Sequence, residues 1–327
     1  VKKFQVATFG NAIVDILIEL TNNDPQVESL GLKNGSFQLV ELDFQKKIIE
    51  NYKNLQPKLV SGGAIANSVI AFSQLGGKAS FTACIGDDRY GLHYKSEFEE
   101  LGIHLGLAPL KNESSGTCVI LVSPNAERTM CTNLACAALL GSEHINENLI
   151  KDSEWIFTEG YLLAVPAGME ASYKLVELAK KNQTKLAFTL SAEFIVSAFK
   201  EPVTRMIKNA DLIFANIHEA ELFAGVKGAE LARKALKELC QHVVITDGEN
   251  GVWIAEAGKD YHVPAIPTKP IDLTGAGDMF AGAYMYGITH GLNVEEAGRK
   301  ACFLAHKVIQ QVGARVTQGL KEDWNKA

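Results

Sequence analysis

The sequence predicts an α/β fold: one doubly wound, mostly parallel sheet with a small separate β-sheet lying over its strand ends as a lid. Three observations lead there. From Trp155 onward, short apolar runs alternate regularly with stretches of helical periodicity, the pattern of a parallel sheet built by crossovers. Two stretches, roughly 16–43 and 104–134, are β-prone and turn-rich, and they cannot enter that sheet without breaking the crossover rule. Finally, Asp272-Leu273-Thr274-Gly275-Ala276-Gly277-Asp278-Met279-Phe280 carries an extended approach through a glycine turn into a long apolar helix.

In order, Phe4 to Phe9 is a short strand that stops at Gly10-Asn11, and such a strand end is where α/β sheets hold ligands. Asp15 follows inside the apolar run Ala12 to Ile18; it reads as an exposed residue on an alternating strand or as a directed ligand contact. Leu17 to Leu42 is short strands and turns, and Phe44 to Asn54 is a helix. Leu59-Val60-Ser61-Gly62-Gly63 opens a second glycine turn. Behind it, Ala64 to Leu75 is a helix of small and apolar residues ending at Gly76-Gly77, with Asn67 one turn inside among apolar neighbours. A buried amide there needs a specific partner. Ala79 to Ile85 is a strand and Gly91 to Leu101 a helix. Gly116 to Ser123 and Arg128 to Asn133 form a hairpin about Pro124-Asn125.

The regular half then supplies strands at Trp155 to Thr158, Lys185 to Leu190, Asp211 to Ala215, His242 to Thr246 and Val252 to Ala255. Helices fall at Met169 to Asn182, Pro202 to Lys208, Glu219 to Ala224, Ala229 to Leu239, Met279 to Gly291 and Val294 to Val312. There is no internal repeat and no low-complexity linker, so one domain over 1–327 is expected.

Bulk properties narrow the function. A net charge of -6 leaves no basic footprint for nucleic acid, although backbone donors and a metal can still hold a nucleotide on an acidic protein. Cys84, Cys118, Cys131, Cys136, Cys240 and Cys302 form no Cys-x-x-Cys pair and sit mostly in apolar surroundings, which predicts reduced core thiols in a cytoplasmic protein. Val1-Lys2-Lys3-Phe4 runs into a strand rather than a signal-peptide core. The nearest candidate membrane span contains Asp278 and several glycines, so no membrane partner is expected.

The chemistry-bearing residues gather at expected strand ends. Gly275, Ala276 and Gly277 let a ligand lie on the backbone, and the following helix offers unpaired N–H groups and the positive end of its dipole. That is an anion site, most often for phosphate. Asp278 is the only charged residue from Leu273 to Thr289, and a carboxylate there is costly unless paired or used; a simple N-cap is the alternative. Asn216-x-x-Glu219 sets an amide and a carboxylate one turn apart, which suits a hydrated Mg²⁺ and equally suits an ordinary helix start. Thr246-x-Gly248-x-x-Gly251 offers backbone donors and a hydroxyl. Competing motifs fail: there is no P-loop and no Gly-x-Ser-x-Gly elbow, Gly275-x-Gly277 lacks the third glycine of the dinucleotide fingerprint, and His218-Glu219 lacks the second zinc-protease histidine.

Asp272 to Phe280 resembles the second signature of the PfkB, or ribokinase-like, carbohydrate kinases. Gly62-Gly63-Ala64-x-x-Asn67, running to Gly76 and Gly86-Asp87-Asp88-x-x-Gly91, resembles the first, and Asn216-x-x-Glu219 matches the magnesium-associated motif. The stretches from Gly10 to Asp15, and Glu127 to Met130 through Asn133-Leu134-Ala135, look most like the adenosine kinases, especially their bacterial adenosine-kinase-like branch. The resemblance covers nearly the whole chain and implies a three-layer α/β/α fold and ATP-dependent phosphorylation of a primary hydroxyl, in that branch the 5′-OH of adenosine. It implies Asp278 as the base, with the backbone of Gly275, Ala276 and Gly277 as the anion hole. Asn11, Asp15, Gly62, Gly63, Asn67, Arg128 and Asn133 are then expected on the acceptor side. Asn216, Thr246, Gly248 and Gly251 are expected at the nucleotide, and Glu219 in the Mg²⁺ shell. Asp272 and Thr274 are expected near a monovalent-cation site, K⁺ in many members. Relatives occur as monomers and as dimers paired through their lids. A ribose or ketose kinase, and a silent nucleoside-binding protein, are the competing expectations. Two departures stand out: Leu273, where many relatives carry a small polar residue, and the uncommon turn Thr246-Asp247-Gly248.

Overall fold

The structure, a computed structural model, describes residues 2–21, 25–124 and 128–327. In chain order the strands are β1 (Phe4–Phe9), β2 (Ile13–Glu19), β3 (Phe37–Leu39), β4 (Lys58–Gly62), β5 (Ala79–Thr82), β6 (His104–Leu105) and β7 (Gly116–Val122). They continue as β8 (Arg128–Asn133), β9 (Ser153–Glu159), β10 (Lys185–Thr189), β11 (Leu212–Asn216), β12 (Val243–Thr246), β13 (Val252–Glu256) and β14 (Lys259–Val263). Five helices bear on the site: α1 (Ala64–Gln74), α2 (Arg89–Glu100), α3 (Ile217–Ala224), α4 (Ala276–Thr289) and α5 (Val294–Val308).

The large sheet runs β14-β13-β12-β11-β10-β9-β1-β5-β6. It is parallel from β6 to β12, and β13 and β14 close it antiparallel. Apolar clusters cover both faces. One contains Val69, Phe81, Phe280 and Tyr284; the other contains Leu175, Phe188, Ile207 and Ile245. Burial on both faces is why these strands read as continuous apolar runs rather than alternating ones. From β1 the chain builds outward to β5 and β6, then returns to β9 and builds the other way. The strand order therefore reverses between β1 and β9, and a ligand crevice opens outside their carboxyl ends.

The second sheet runs β3-β8-β7-β2-β4. Its strand content differs from the stretches 16–43 and 104–134. β2 begins at Ile13, so Asp15 lies within this sheet; β4, expected as a lead into a glycine turn, is its edge strand; and β6 pairs with β5 in the large sheet. Periodicity identifies a strand but not its partner, which is why these pairings were not legible in the sequence. The tip of the β7–β8 hairpin, residues 125–127, lies outside the described residues. One face of this sheet packs Ile16, Ile18, Val119 and Leu121 on Ile48. The other carries Ile13, Cys118, Ile120, Val122 and Ala137. Asp15 shares that second face, because alternate residues of a strand point the same way.

Helix ends shifted where local chemistry overrode periodicity. α5 stops at Val308, short of the expected Val312, and Asp211 precedes β11 rather than opening it. All six cysteines are free and five are buried. Among the described residues, no helix is long and apolar enough to cross a membrane.

Candidate active site

The glycine turn ahead of α4 is held in a geometry that few residues can adopt. Gly275 sits at φ 74°, and a Cβ there would collide with the carbonyl of Ala314. At Gly277 a Cβ would meet no atom within 4 Å, so the backbone faces open space. The first intrahelical bond joins Met279 N to Gly275 O at 2.8 Å. The N–H groups of Gly277 and Asp278 therefore stand ahead of the helical ladder and point their positive ends into that space.

Helices α1 and α4 cross closely enough that a Cβ on Gly282 would strike the carbonyl of Ser68. This contact sets Asn67 beside Asp278: Asn67 Nδ2 donates to Asp278 Oδ2 at 2.9 Å. Asn67 Oδ1 is buried and has no hydrogen-bond partner in the structure, which leaves it ready to accept from a ligand hydroxyl. Gly63, at φ 105°, brings the start of α1 onto the carbonyl of Asn11. The Asp15 carboxyl lies over Gly62, where a Cβ would come within 2.6 Å of Oδ2. The turns after β1 and β4 thus converge on one face of Asp278.

Burial raises the Asp278 carboxyl to about 7, against a partial lowering by the Asn67 bond. Burial likewise raises Asp15 to about 7; Arg315 and Arg128 pull it down and the charge of Asp278 pushes it up. Glu159 and Glu219 are also raised to about 7, mainly by burial, and each is pushed up further by Asp278. Asp278 is the common neighbour of all these carboxylates.

On the opposite side, Asn216 and Thr246 end β11 and β12 as register partners. Asn216 and Glu219 form a reciprocal cap on α3. Glu219 Oε2 accepts from Asn216 N at 3.0 Å and Oε1 from Asn216 Nδ2 at 2.8 Å, while Glu219 N donates to Asn216 Oδ1 at 2.9 Å. The helix-start reading of this motif is realised, yet Glu219 is only 4% exposed and close enough to feel Asp278. Since both oxygens are engaged, a metal reached through water fits this carboxylate better than direct ligation. Gly248, at φ 52°, has open space around it, whereas Gly251 is required by its turn, where a Cβ would collide with Val263 O.

Three expected site residues are engaged elsewhere. Asn133 Nδ2 donates to Val40 O at 2.8 Å within the second sheet. Arg128 pairs with Asp272, and both side chains are about nine-tenths buried. Asp272 also accepts from Gly313 N at 2.7 Å and Thr274 N at 3.0 Å. Burial alone would raise the Asp272 carboxyl, but these bonds and the Arg128 charge hold it below its usual value. Among the described residues no group of three or more His, Cys, Asp or Glu could hold a metal ion unaided.

Sequence reasoning missed Glu159, which ends β9 at the reversal of strand order. It is fully buried, and its Oε1 accepts from Asn11 N at 2.7 Å and its Oε2 from Ile65 N at 3.3 Å. The signal was available, because Glu159 is the only charged residue from Trp155 to Met169, the same anomaly that singled out Asp278.

A helix start with N–H groups ahead of its ladder, a carboxyl of raised pKa at its mouth and hydrogen-bonding groups beside that carboxyl suit a phosphotransferase acting on a hydroxyl group. The pfkB family carbohydrate kinase model matches residues 24–319, and the chain belongs to that family. It is 30% identical to adenosine kinase 1 of Arabidopsis thaliana, covering 97% of this chain and 96% of that protein. Among solved structures, adenosine kinase from Sinorhizobium meliloti superposes with a TM-score of 0.89 at 27% identity, covering 99% of each chain. A probable sugar kinase from Rhizobium etli CFN 42 superposes with a TM-score of 0.90 at 28% identity, covering 100% of this chain and 99% of that one. Kinases of this family use ATP, typically with Mg²⁺.

Proposed function

We propose that this chain is an adenosine kinase, transferring the γ-phosphoryl group of ATP to the 5′-hydroxyl of adenosine to give AMP and ADP. The observation that carries it is the meeting at Asp278 of a phosphate-type helix start with an acceptor wall formed by Asp15 and Asn67. Asp278 takes the proton of the attacking hydroxyl as its oxygen bonds to the γ-phosphorus and the bond to the ADP oxygen breaks. The N–H groups at the start of α4 hold the charge on the transferring group. Asp15, Asn67 and the Gly62-Gly63 turn hold the ribose hydroxyls, while Thr246 and Gly248 line the nucleotide side. Glu219 with Asn216 would hold a hydrated Mg²⁺ accompanying ATP, and the metal would neutralise phosphate charge. Because the Asp272 carboxylate is taken by Arg128, Gly313 and Thr274, a monovalent cation beside that segment would rely on carbonyl oxygens. The second sheet serves as the lid that excludes water.

The apolar face shared with Asp15, formed by Ile13, Cys118, Ile120 and Ala137 with Leu17, Met130 and Leu134 against it, favours an acceptor carrying a base over a bare sugar. Likeness to the Rhizobium etli protein keeps a sugar acceptor as the second reading. Purified protein with MgATP and either adenosine or ribose distinguishes them: AMP from adenosine is expected, and ADP release with ribose alone would overturn the nucleoside assignment.

A further inference from the structure

The family resemblance implies a monovalent cation beside Asp272 and Thr274, and the groups present there do not fit one. Such an ion is held by oxygens whose lone pairs face it, and a carboxylate adds the negative charge. The Asp272 carboxylate has both oxygens engaged. Oδ2 accepts from Arg128 Nη2 and from Gly313 N at 2.7 Å, and Oδ1 accepts from Thr274 N at 3.0 Å. Carbonyls of the adjoining segments are engaged as well. Ile309 O accepts from Ile271 N at 2.8 Å and from Asp272 N at 3.3 Å, and Leu273 O accepts from Ala276 N at 3.3 Å. Arg315 O accepts from the side-chain amide of Gln311. The positive charge at this point is the Arg128 guanidinium itself.

The pair is shielded from solvent, with side chains 10% exposed for Arg128 and 8% for Asp272. A second cation brought beside it would meet a repulsion that water and salt screen little. The pair also ties together three parts of the fold. Arg128 opens β8 of the second sheet. Asp272 lies in the approach to α4, three residues before Gly275. Gly313 N binds the same carboxylate, and its neighbour Ala314 packs under Gly275, where a Cβ would collide with Ala314 O. One guanidinium from the second sheet is therefore fastened to the two stretches of chain that shape the glycine turn. Arginine suits this place better than lysine, because its planar fork stays charged at any working pH and matches a carboxylate.

We propose that Arg128 is a built-in cation: paired with Asp272, its guanidinium takes the place of the monovalent metal ion and holds the turn ahead of α4 in shape, so that the chain needs no K⁺. Arg128 is then a positioning residue that acts through Asp272. Its bearing on turnover rests on the reading of that turn as the phosphate site, whereas its bearing on folding does not. The charge arrives with the second sheet instead of from solvent, which makes the site indifferent to the salt around it. Removing the guanidinium frees Asp272 Oδ2 on the side Arg128 occupied, and a monovalent ion then has a carboxylate to bind.

The test compares KCl with choline chloride at equal ionic strength, by thermal unfolding without substrates and by turnover with adenosine and MgATP. The parent is expected to unfold within about 1 °C in the two salts, and to turn over within about 1.5-fold. Arg128→Ala is expected to unfold lower in choline, to regain about 2–4 °C in K⁺ and to gain at least about fivefold in turnover there. Adding Asp272→Asn to that variant should abolish the K⁺ response. A parent stabilised or activated by K⁺ would overturn the proposal, and that arm needs no variant. An Arg128→Ala chain that unfolds equally low in both salts would overturn it in favour of a plain ion pair. A K⁺ response that survives Asp272→Asn would overturn it by placing the ion elsewhere. Should Arg128→Ala fail to fold, Arg128→Gln carries the same comparison: stabilisation by K⁺ supports the proposal and its absence overturns it. A chain that forms no AMP in either salt yet shows the thermal pattern would overturn the adenosine reading and support the built-in cation.

Discussion

Replacing Asp278 by Asn keeps the shape of the side chain and removes its charge. The substituted amide oxygen can still accept from Asn67 Nδ2, so the crossing of α1 and α4 is preserved. What disappears is the proton acceptor, and general-base removal lowers turnover by about 10²–10⁴-fold while the anion turn and the binding groups remain. Stability moves the other way. In the folded chain burial raises Asp278 from 3.8 to about 7. The native state then binds a proton that the unfolded chain has released, and stability falls as pH rises from about 4 to about 7. At pH 8 the ionised carboxylate is a cost in the native state, smaller than full burial would imply because the residue is only half-buried. Asp278→Asn is therefore expected to unfold at the same temperature as the parent or slightly above it at pH 8, and to lose the parent's advantage at pH 5. The parent's turnover should fall as pH drops through about 7, where Asp278 protonates. AMP formation from pH 5.5 to 9, with thermal unfolding across the same range, provides the check. Turnover within about threefold of the parent would refute the base assignment. A collapse of thermal stability at pH 8 would refute the account of Asp278 as a buried charge kept for chemistry.

Three further substitutions probe the supports of the site. Gly275→Ala forces a side chain into left-handed backbone against Ala314 O; the left-handed geometry alone costs about 1–2 kcal/mol, so thermal unfolding should drop along with turnover, and unaltered values would contradict the turn geometry. Glu159→Gln places one amide N–H group against the N–H of Asn11 or Ile65, and is expected to raise the KM for the acceptor several-fold with the KM for ATP unmoved. Arg128→Ala leaves Asp272 buried without its cation and should cost about 3 kcal/mol in urea unfolding at pH 7. Asp272 is held below its usual value, so its contribution is present at neutral pH and fades as acid protonates it; the Arg128→Ala deficit should shrink at low pH.

The order of elements was legible because a parallel sheet buried on both faces prints itself as apolar runs separated by helical periodicity, as β9 to β12 show. The glycine turn ahead of α4 was legible because glycines at Gly275 and Gly277 beside a lone acid at Asp278 mark a tight turn into a helix start. Sheet membership was not. β2 and β4 have the same texture as strands of the large sheet, and only three-dimensional pairing assigns them to the second one. Partner choice was hidden for the same reason. Nothing local to Arg128 or Asp272 says that residues 144 apart pair, or that Glu219 would spend both oxygens on its own cap. Arg315 was invisible because its neighbours in sequence, Ala314 and Val316, carry no motif; its partner, Glu97, lies 218 residues away on α2.

These pairings explain how the chain carries so many acids at one point. Asp15, Glu159, Glu219 and Asp278 all hold their protons to about 7, chiefly because burial penalises the ionised forms and Asp278 repels the others. Three of them are nevertheless tied down by a donor: Asn67 for Asp278, Asn11 N and Ile65 N for Glu159, and Asn216 for Glu219. For Asp15 the groups that favour the ionised form are cations, Arg315 before Arg128. The four acids therefore divide by the kind of support they have. Neutral donors fix the position of a carboxylate and weakly favour its charge, which suits a base that must gain and lose a proton in each turnover. Cations oppose the burial of Asp15, yet its carboxyl is still raised to about 7, level with Asp278. Asp278 and Asp15 thus differ in their partners rather than in their burial, an amide donor for the first and two cations for the second.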